Sequence, residues 1–409
     1  MNDYAPASSL GWLDFDAAAS ERVASLLRSL EEPGTIDALG LGSIRDTFSD
    51  MLTPGTSTVQ TRLRYFIFLP WIFQRLETEG VPPASFARKL RDYEAKLIDC
   101  LRHLGPNQGV IGRIAGRSLR RMPSDVYWGS MTAWGIRRLD LSIAEYGQQA
   151  RSRGRFRPER DDDGNATEPA GSIWASVPEA PENFLTGQVT FELEPDEAQI
   201  LTDGIRRRHP DTLIAALTTV RGLSLDNIDY PWFVPVPQLP GRLVEMLHHA
   251  RCFSELTHGP QLVYNLLLAR AARRELGWDT EELEENQKRH LDGWSDQVRG
   301  RHEELRAWVE TPHEFRQVLA GYGVAQSTLH YWDAMAQHAV DDPARFAERP
   351  EVHRLIRERE RRLKSNRARL SHRAALETWN QMPFGGQLDY RWGITKTYLR
   401  DLAAAGVGG

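Results

Sequence analysis

Along most of this chain apolar residues return every three or four positions, the period of a helix with one buried face. The first such stretch follows Gly11-Trp12-Leu13-Asp14-Phe15, with Asp14 or Asp16 as its cap and Val23, Leu26, Leu27 and Leu30 as its stripe, ending at Pro33-Gly34. A second runs from Ser43 to Leu52 on Ile44, Phe48 and Leu52, and a later one from Phe86 to Leu104. Further helices are expected over 195–208, 213–220, 243–256, 260–276 and 281–309. Only Val189-Thr190-Phe191-Glu192-Leu193 alternates with period two, so the expected class is all-α, mainly helical and multi-lobed, with at most this small β element.

Pro54 to Phe73 departs from that amphipathic pattern. Leu63, Tyr65, Phe66, Ile67, Phe68, Leu69, Trp71, Ile72 and Phe73 leave no polar face, so a helix here must be packed on nearly every side. Pro70 is expected to kink or break it. Residues 151–172 mix Arg, Gly, Asp, Asn and Pro and read as a linker or disordered insertion. The expected division is therefore a helical domain over 1–150, a linker over 151–187 and a second helical domain over 188–409. There is no fixed-period repeat.

Composition adds three points. The 12 tryptophans supply ample core material. Two cysteines, Cys100 and Cys252, are too few for a disulfide framework and fit a reducing cytoplasm. No secretory signal is visible, and the apolar run 66–73 is far shorter than the roughly 20 residues of a membrane span, so no membrane partner is expected.

The net charge of -5 hides a segregation. Residues 102–160 hold 12 arginines against four acids, and residues 345–373 hold 11 lysines and arginines against four acids. Segregated basic segments suit an anionic polymer. The competing reading is that they pair with acidic surfaces of the same fold.

Two stretches have the layout of a helix-turn-helix. In 111–134 the second helix would present Asp125, Gly129, Thr132 and Ala133, which are poor base readers, although Arg117, Arg120, Arg121, Arg137 and Arg138 lie near enough to hold a phosphate backbone. In 315–335 a turn with Gly321 and Gly323 precedes a helix that would bury Leu329, Trp332 and Met335 and leave Gln326, Ser327, Thr328, His330 and Tyr331 outward, side chains able to bond base edges or phosphates. Plain helical packing accounts for either pattern. Beside the second, a helix over 351–373 would set Ile356, Leu363 and Leu370 on one face, with Arg354, Arg357, Arg361, Arg362, Arg367 and Arg369 on its flanks. Glu358–Arg362 and Glu360–Lys364 are expected i,i+4 pairs, and a solvated helix face is the alternative to a phosphate grip.

Enzyme signatures are sparse. There is no Walker-type loop, no G-x-S-x-G elbow, no H-E-x-x-H and no kinase set, and the glycines at 109, 112 and 116 do not follow a strand. Asp92, Glu94 and Lys96 weakly resemble a nuclease carboxylate–lysine set, but on an amphipathic helix. His248, His249, Cys252 and His258, with Cys100 and His103, match no usual zinc spacing, and a packed histidine and a core thiol explain them as well. Thr56 to Arg64 offers hydroxyls and two arginines at a helix start, for an anion or for capping and helix pairing. No cofactor is expected.

The strings GWLDF, GTIDALGLGSIRDTFSDMLTPGTSTVQTRLRYFIFLPWIF, PSDVYW, ALETWN and LDYRW resemble the bacterial family of domain of unknown function 6361 over essentially the whole chain, apart from 151–172. That resemblance implies no activity and no catalytic residues. It implies a prokaryotic cytoplasmic protein, in a setting similar to accessory components of anti-phage defence or mobile-element clusters. The expected function is a non-catalytic nucleic-acid-binding or adaptor protein, taking DNA before RNA, with a helicase or nuclease as a conceivable protein partner. A metal-dependent nuclease with dispersed carboxylates and a protein–protein scaffold are the alternatives.

Overall fold

The computed structural model describes residues 37–153 and 173–406, except 221, 223, 237 and 238 and the side chains of 151–153. The expected helix after Asp14 and the insertion 154–172 lie outside the described residues. Within them the chain is all-α. Fifteen α-helices are joined by loops and four short 3-10 turns, and the only β pairing among the described residues is an isolated bridge between Arg137 and Trp174. In chain order the helices are α1 (Gly42–Leu52), α2 (Tyr65–Thr78), α3 (Pro83–Leu101), α4 (Pro123–Ala133), α5 (Ile143–Arg153), α6 (Pro195–Arg208) and α7 (Leu213–Leu217). There follow α8 (Gly241–Leu276), α9 (Glu281–Gly300), α10 (His302–Glu310), α11 (His313–Leu319), α12 (Gln326–Asp341), α13 (Pro350–Lys364), α14 (Arg373–Glu377) and α15 (Trp392–Ala404).

Two compact units form, and neither is a continuous stretch of chain. One holds 1–44 with 252–388, the other 45–251 with 389–409. The division does not fall in the expected linker. Residues 173–193 instead feed the core of the second unit, through Ile173, Trp174, Phe184, Leu185, Phe191 and Leu193. The alternation read at 189–193 is thus an alternation of burial without a partner strand.

In that second unit the all-apolar segment becomes α2, and Tyr65 to Ile72 are essentially inaccessible. Pro70 does not break it, and the helix continues to Thr78. Aromatic rings close around it: Phe73 meets Trp128 at 4.9 Å and Tyr146 at 5.0 Å, and Phe66 meets Tyr127 at 5.1 Å. Edge and tilted contacts of this kind add to area burial. The loop before α2 is fixed by ion pairs, Arg62 to Asp401 at 2.7 Å and Arg64 to Glu197 at 2.9 Å.

Nearby, Glu94 on α3 is turned inward and accepts a bond of 2.6 Å from the Ser124 amide in the first turn of α4. That amide is one of the donors a helix start leaves without an intrahelical partner. Burial raises the Glu94 carboxyl from 4.5 to about 7.

In the first unit, the residues before α1 are held by Asp37, whose carboxylate accepts from the Leu41 and Gly42 amides at 2.8 and 2.6 Å. The core joins Phe253 to Trp332 at 4.6 Å, Trp308 to Phe315 at 4.9 Å and Trp294 to Phe346 at 4.9 Å. Two boundaries differ from the sequence reading. The helices expected over 243–256 and 260–276 are one helix, α8, which runs through Gly259-Pro260. The Trp294 indole packs where Gly259 has no side chain and donates to Glu255 O at 2.8 Å, close to the carbonyl ladder that the proline interrupts. The helix expected over 281–309 is two, α9 and α10, parted at Arg301, whose guanidinium binds both Glu255 and Glu304.

Two outcomes follow. A Cβ at Gly259 would stand 2.3 Å from the Trp294 ring, whereas one at Gly293 would meet nothing within 4 Å. Gly259→Ala should therefore lower stability by about 1–3 kcal/mol, while Gly293→Ala should raise it by up to ~1 kcal/mol, both read from urea unfolding. For Glu94 the folded value lies above the unfolded one, so its contribution is whole below about 4.5 and is lost as pH rises through about 7. Across that window the wild type should lose up to roughly 3 kcal/mol relative to Glu94→Gln. Parallel stability–pH curves for the two proteins would contradict the assignment.

Candidate nucleic-acid interface

Helix α13 begins with Pro350 at its first turn, where a missing amide costs nothing, and runs fifteen residues. Its inward positions are Val352, Ile356, Arg359 and Glu360, all buried. Two of the four are charged, and each is satisfied. The Arg359 guanidinium donates to Leu39 O at 2.8 Å, Gly40 O at 3.0 Å, Ser327 O at 3.3 Å and Thr328 Oγ1 at 2.9 Å, and lies 5.1 Å over the Tyr331 ring. Carbonyl dipoles and a π face stand in for a carboxylate here. Burial pulls its pKa down from the ordinary arginine value.

The Glu360 carboxylate is wholly buried. It accepts from Tyr264 Oη at 2.5 Å, from the Arg369 and Leu370 amides at 3.0 and 2.9 Å, and from Lys364 Nζ at 3.4 Å. Burial, and then this carboxylate, raise the Tyr264 phenol, while burial lowers Lys364. Capture of two amides beyond the helix turns the chain back on itself. The helix expected to reach Arg373 accordingly stops at Lys364, and Ser365 takes a φ of +50°. Leu370 is buried on the returning segment, not on a helix face, and Leu363 is 43% exposed. Arg357 reaches across to the Leu370 carbonyl at 3.1 Å.

Between α13 and the returning segment lies an open cleft of about 450 Å³, lined by Pro350, His353, Arg354, Arg357, Glu358, Arg361 and Ser371. His353 is set by a contact of 2.7 Å from Nε2 to Ala347 O, in which Nε2 donates. Arg354 and Arg361 sit two turns apart, about 10.5 Å along the axis. Among the described residues, Arg354, Arg361, Arg362 and Arg367 are exposed and make no ion pair or hydrogen bond. Glu358 is also exposed and unpaired. The expected Glu358–Arg362 bridge does not form, whereas Glu360–Lys364 does. Arg369 is half-buried, 4.9 Å over the Phe384 ring.

Of the residues expected to face outward on α12, Gln326, Ser327 and His330 are exposed. Thr328 and Tyr331 are buried, because the Arg359 guanidinium needs the hydroxyl of one and the ring of the other. The anticipated burial of Leu329, Trp332 and Met335 is found, and the preceding turn uses positive φ at Gly321 and Gly323. A helix, a turn and a helix are therefore present over 313–341, but with only part of the expected outer face.

The first helix-turn-helix and the nuclease-like set come apart. Residues 111–122 form loop and a 3-10 turn at Gly116–Ser118, not a helix, so the first helix-turn-helix is absent. Arg117 pairs with Asp92 at 3.0 Å, and Arg137 is buried on the carbonyls of Leu139 and Leu141. Asp92 thus faces arginine, Glu94 caps α4, and the Lys96 ammonium lies 5.1 Å over Tyr93, so the three do not share one site. Arg62 and Arg64 are spent on Asp401 and Glu197. Along α8, burial pushes the Cys252 thiol up to about 12 and the His258 imidazole down to about 4. His103 Nδ1 contacts Cys100 O at the end of its own helix.

No helix among the described residues is long and apolar enough to cross a membrane. No curated protein and no solved structure matches the chain. One family does, over residues 7–406, and the chain accordingly belongs to the family of unknown function DUF6361.

Proposed function

We propose that this protein binds nucleic acid without cutting it, DNA being the expected class, and that the cleft along α13 holds the phosphates. The observation that carries this reading is the set Arg354, Arg361, Arg362 and Arg367, exposed and unpaired on one helix and its fold-back. Four unpaired cations on so short a stretch repel one another, a cost that the single neighbouring carboxylate, Glu358, offsets only in part and that an incoming polyanion removes. Gln326, Ser327 and His330, exposed at the start of α12, supply neutral donors and acceptors of the kind that contact phosphate and base edges. A member of a defence or mobile-element cluster that grips DNA in this way would serve as an adaptor for a catalytic partner.

The test is fluorescence anisotropy with a labelled oligonucleotide at roughly 50 and 200 mM salt. Intact protein should bind with a steep salt dependence. The quadruple variant R354E/R361E/R362E/R367E, checked for helix content by circular dichroism, should bind at least tenfold more weakly. Its log–log salt slope should fall by about 0.9 for each phosphate it no longer neutralises on duplex, or about 0.7 on a single strand. Absence of binding by the intact protein, or equal binding by the folded variant, would remove the reading.

A further inference from the structure

From the acid in the cleft we infer that the site takes single-stranded nucleic acid, and that Glu358 is the residue that selects it. This rests on the reading of the cleft as a phosphate site. Glu358 lines the same recess as Arg354, Arg357 and Arg361, is exposed, and makes no ion pair or hydrogen bond among the described residues. A carboxylate accepts hydrogen bonds and donates none. Beside a phosphate backbone it is repulsive unless the ligand brings N–H groups to it.

A duplex brings few. The Watson–Crick donors of its bases are already paired, and what faces a backbone-binding cleft is phosphate and sugar. A single strand splays its bases and offers those donors freely. Shape points the same way. The recess is concave, walled by α13 on one side and by Ser371 of the returning segment on the other. A helix that reads a duplex must instead protrude into a groove about 12 Å wide. At about 450 Å³ the space suits one nucleotide unit at a time, within the range of small-ligand clefts.

The division of labour is then simple. Arg354 and Arg361, two helical turns apart, contact the sugar–phosphate backbone, Arg357 is anchored by the Leu370 carbonyl as part of the wall, and Glu358 accepts from a base between them. Glu358 is a specificity-determining residue for the proposed binding, and its effect has a sign that simple electrostatics cannot produce. Deleting an acid from a basic cleft should strengthen binding of every polyanion if charge alone matters. If Glu358 reads unpaired bases, deletion weakens one class and strengthens the other.

The experiment measures binding of a DNA oligonucleotide, its duplex and an RNA of the same sequence to intact protein and to Glu358→Ala, with R354E/R361E/R362E/R367E in parallel. Intact protein should prefer the single strand over the duplex by about tenfold. Glu358→Ala should bind single-stranded DNA several-fold more weakly and duplex equally or more tightly. If Glu358→Ala strengthens both, or if intact protein binds duplex as well as single strand, the single-strand inference is overturned. If single-stranded RNA alone is preferred and that preference vanishes in Glu358→Ala, the base-reading role of Glu358 is overturned, since the acid would then be reading the 2′-hydroxyl. Each of these results leaves the phosphate grip standing provided that the quadruple variant loses binding. A quadruple variant that binds as the intact protein does would instead remove the underlying reading and this one with it.

Discussion

Two neighbouring charges, Arg359 and Glu360, are taken out of water side by side on α13, and neither neutralises the other by a direct ion pair. A buried charge without compensation costs several kcal/mol, so each must find partners at fixed positions. Arg359 finds them in the carbonyls of Leu39, Gly40 and Ser327, the Thr328 hydroxyl and the Tyr331 ring. Glu360 finds them in the Tyr264 hydroxyl, the Lys364 ammonium and two amides of the chain that follows. Because those partners come from the residues before α1, from α8, from α12 and from the fold-back, these two side chains specify where four segments sit. The end of α13, the burial of Thr328 and Tyr331 and the far wall of the cleft all follow from them.

That constraint explains which parts of the structure could be read from residue types alone. Apolar periodicity located most helices, since α1, α3 and α6 begin and end within about three residues of the stripes that announce them, and α12 begins at Gln326 as expected. The burial of Leu329, Trp332 and Met335 was equally plain. What pattern could not show was a helix continuing through Gly259-Pro260, because the ring that packs on Gly259 belongs to Trp294, far along the chain. Nor could it show the end of α13. Ile356, Leu363 and Leu370 form a convincing heptad, and only a carboxylate reaching forward to the Arg369 and Leu370 amides breaks it. A signal was nevertheless present. Arg359 and Glu360 fall on the same stripe as Val352 and Ile356, and charges on an apolar stripe mark buried, fully bonded groups.

Charge counting alone cannot say which cations a fold has engaged. Both basic segments look alike as composition, yet Arg113, Arg117 and Arg137 are engaged within their own unit by carbonyls and Asp92. Along α13 the cations divide by helical position. Those facing inward are consumed by the fold, and those at 354, 361, 362 and 367 are not. A net charge per segment cannot distinguish these cases, whereas burial and hydrogen-bond partners do.

The arrangement also bears on how rigid such a cleft is. Arg354 and Arg361 are long side chains that lose rotamer freedom on gripping a ligand, which offsets part of their attraction. The backbone beneath them has no such freedom to lose, since the Glu360 carboxylate already ties the returning segment to α13 and Arg357 ties it a second time through Leu370 O. The proposed recognition would therefore combine a preset wall with exposed, unpaired cations. On the proposed reading, shape discrimination would belong to the wall and to Glu358, while affinity, and its dependence on salt, would belong to the arginines.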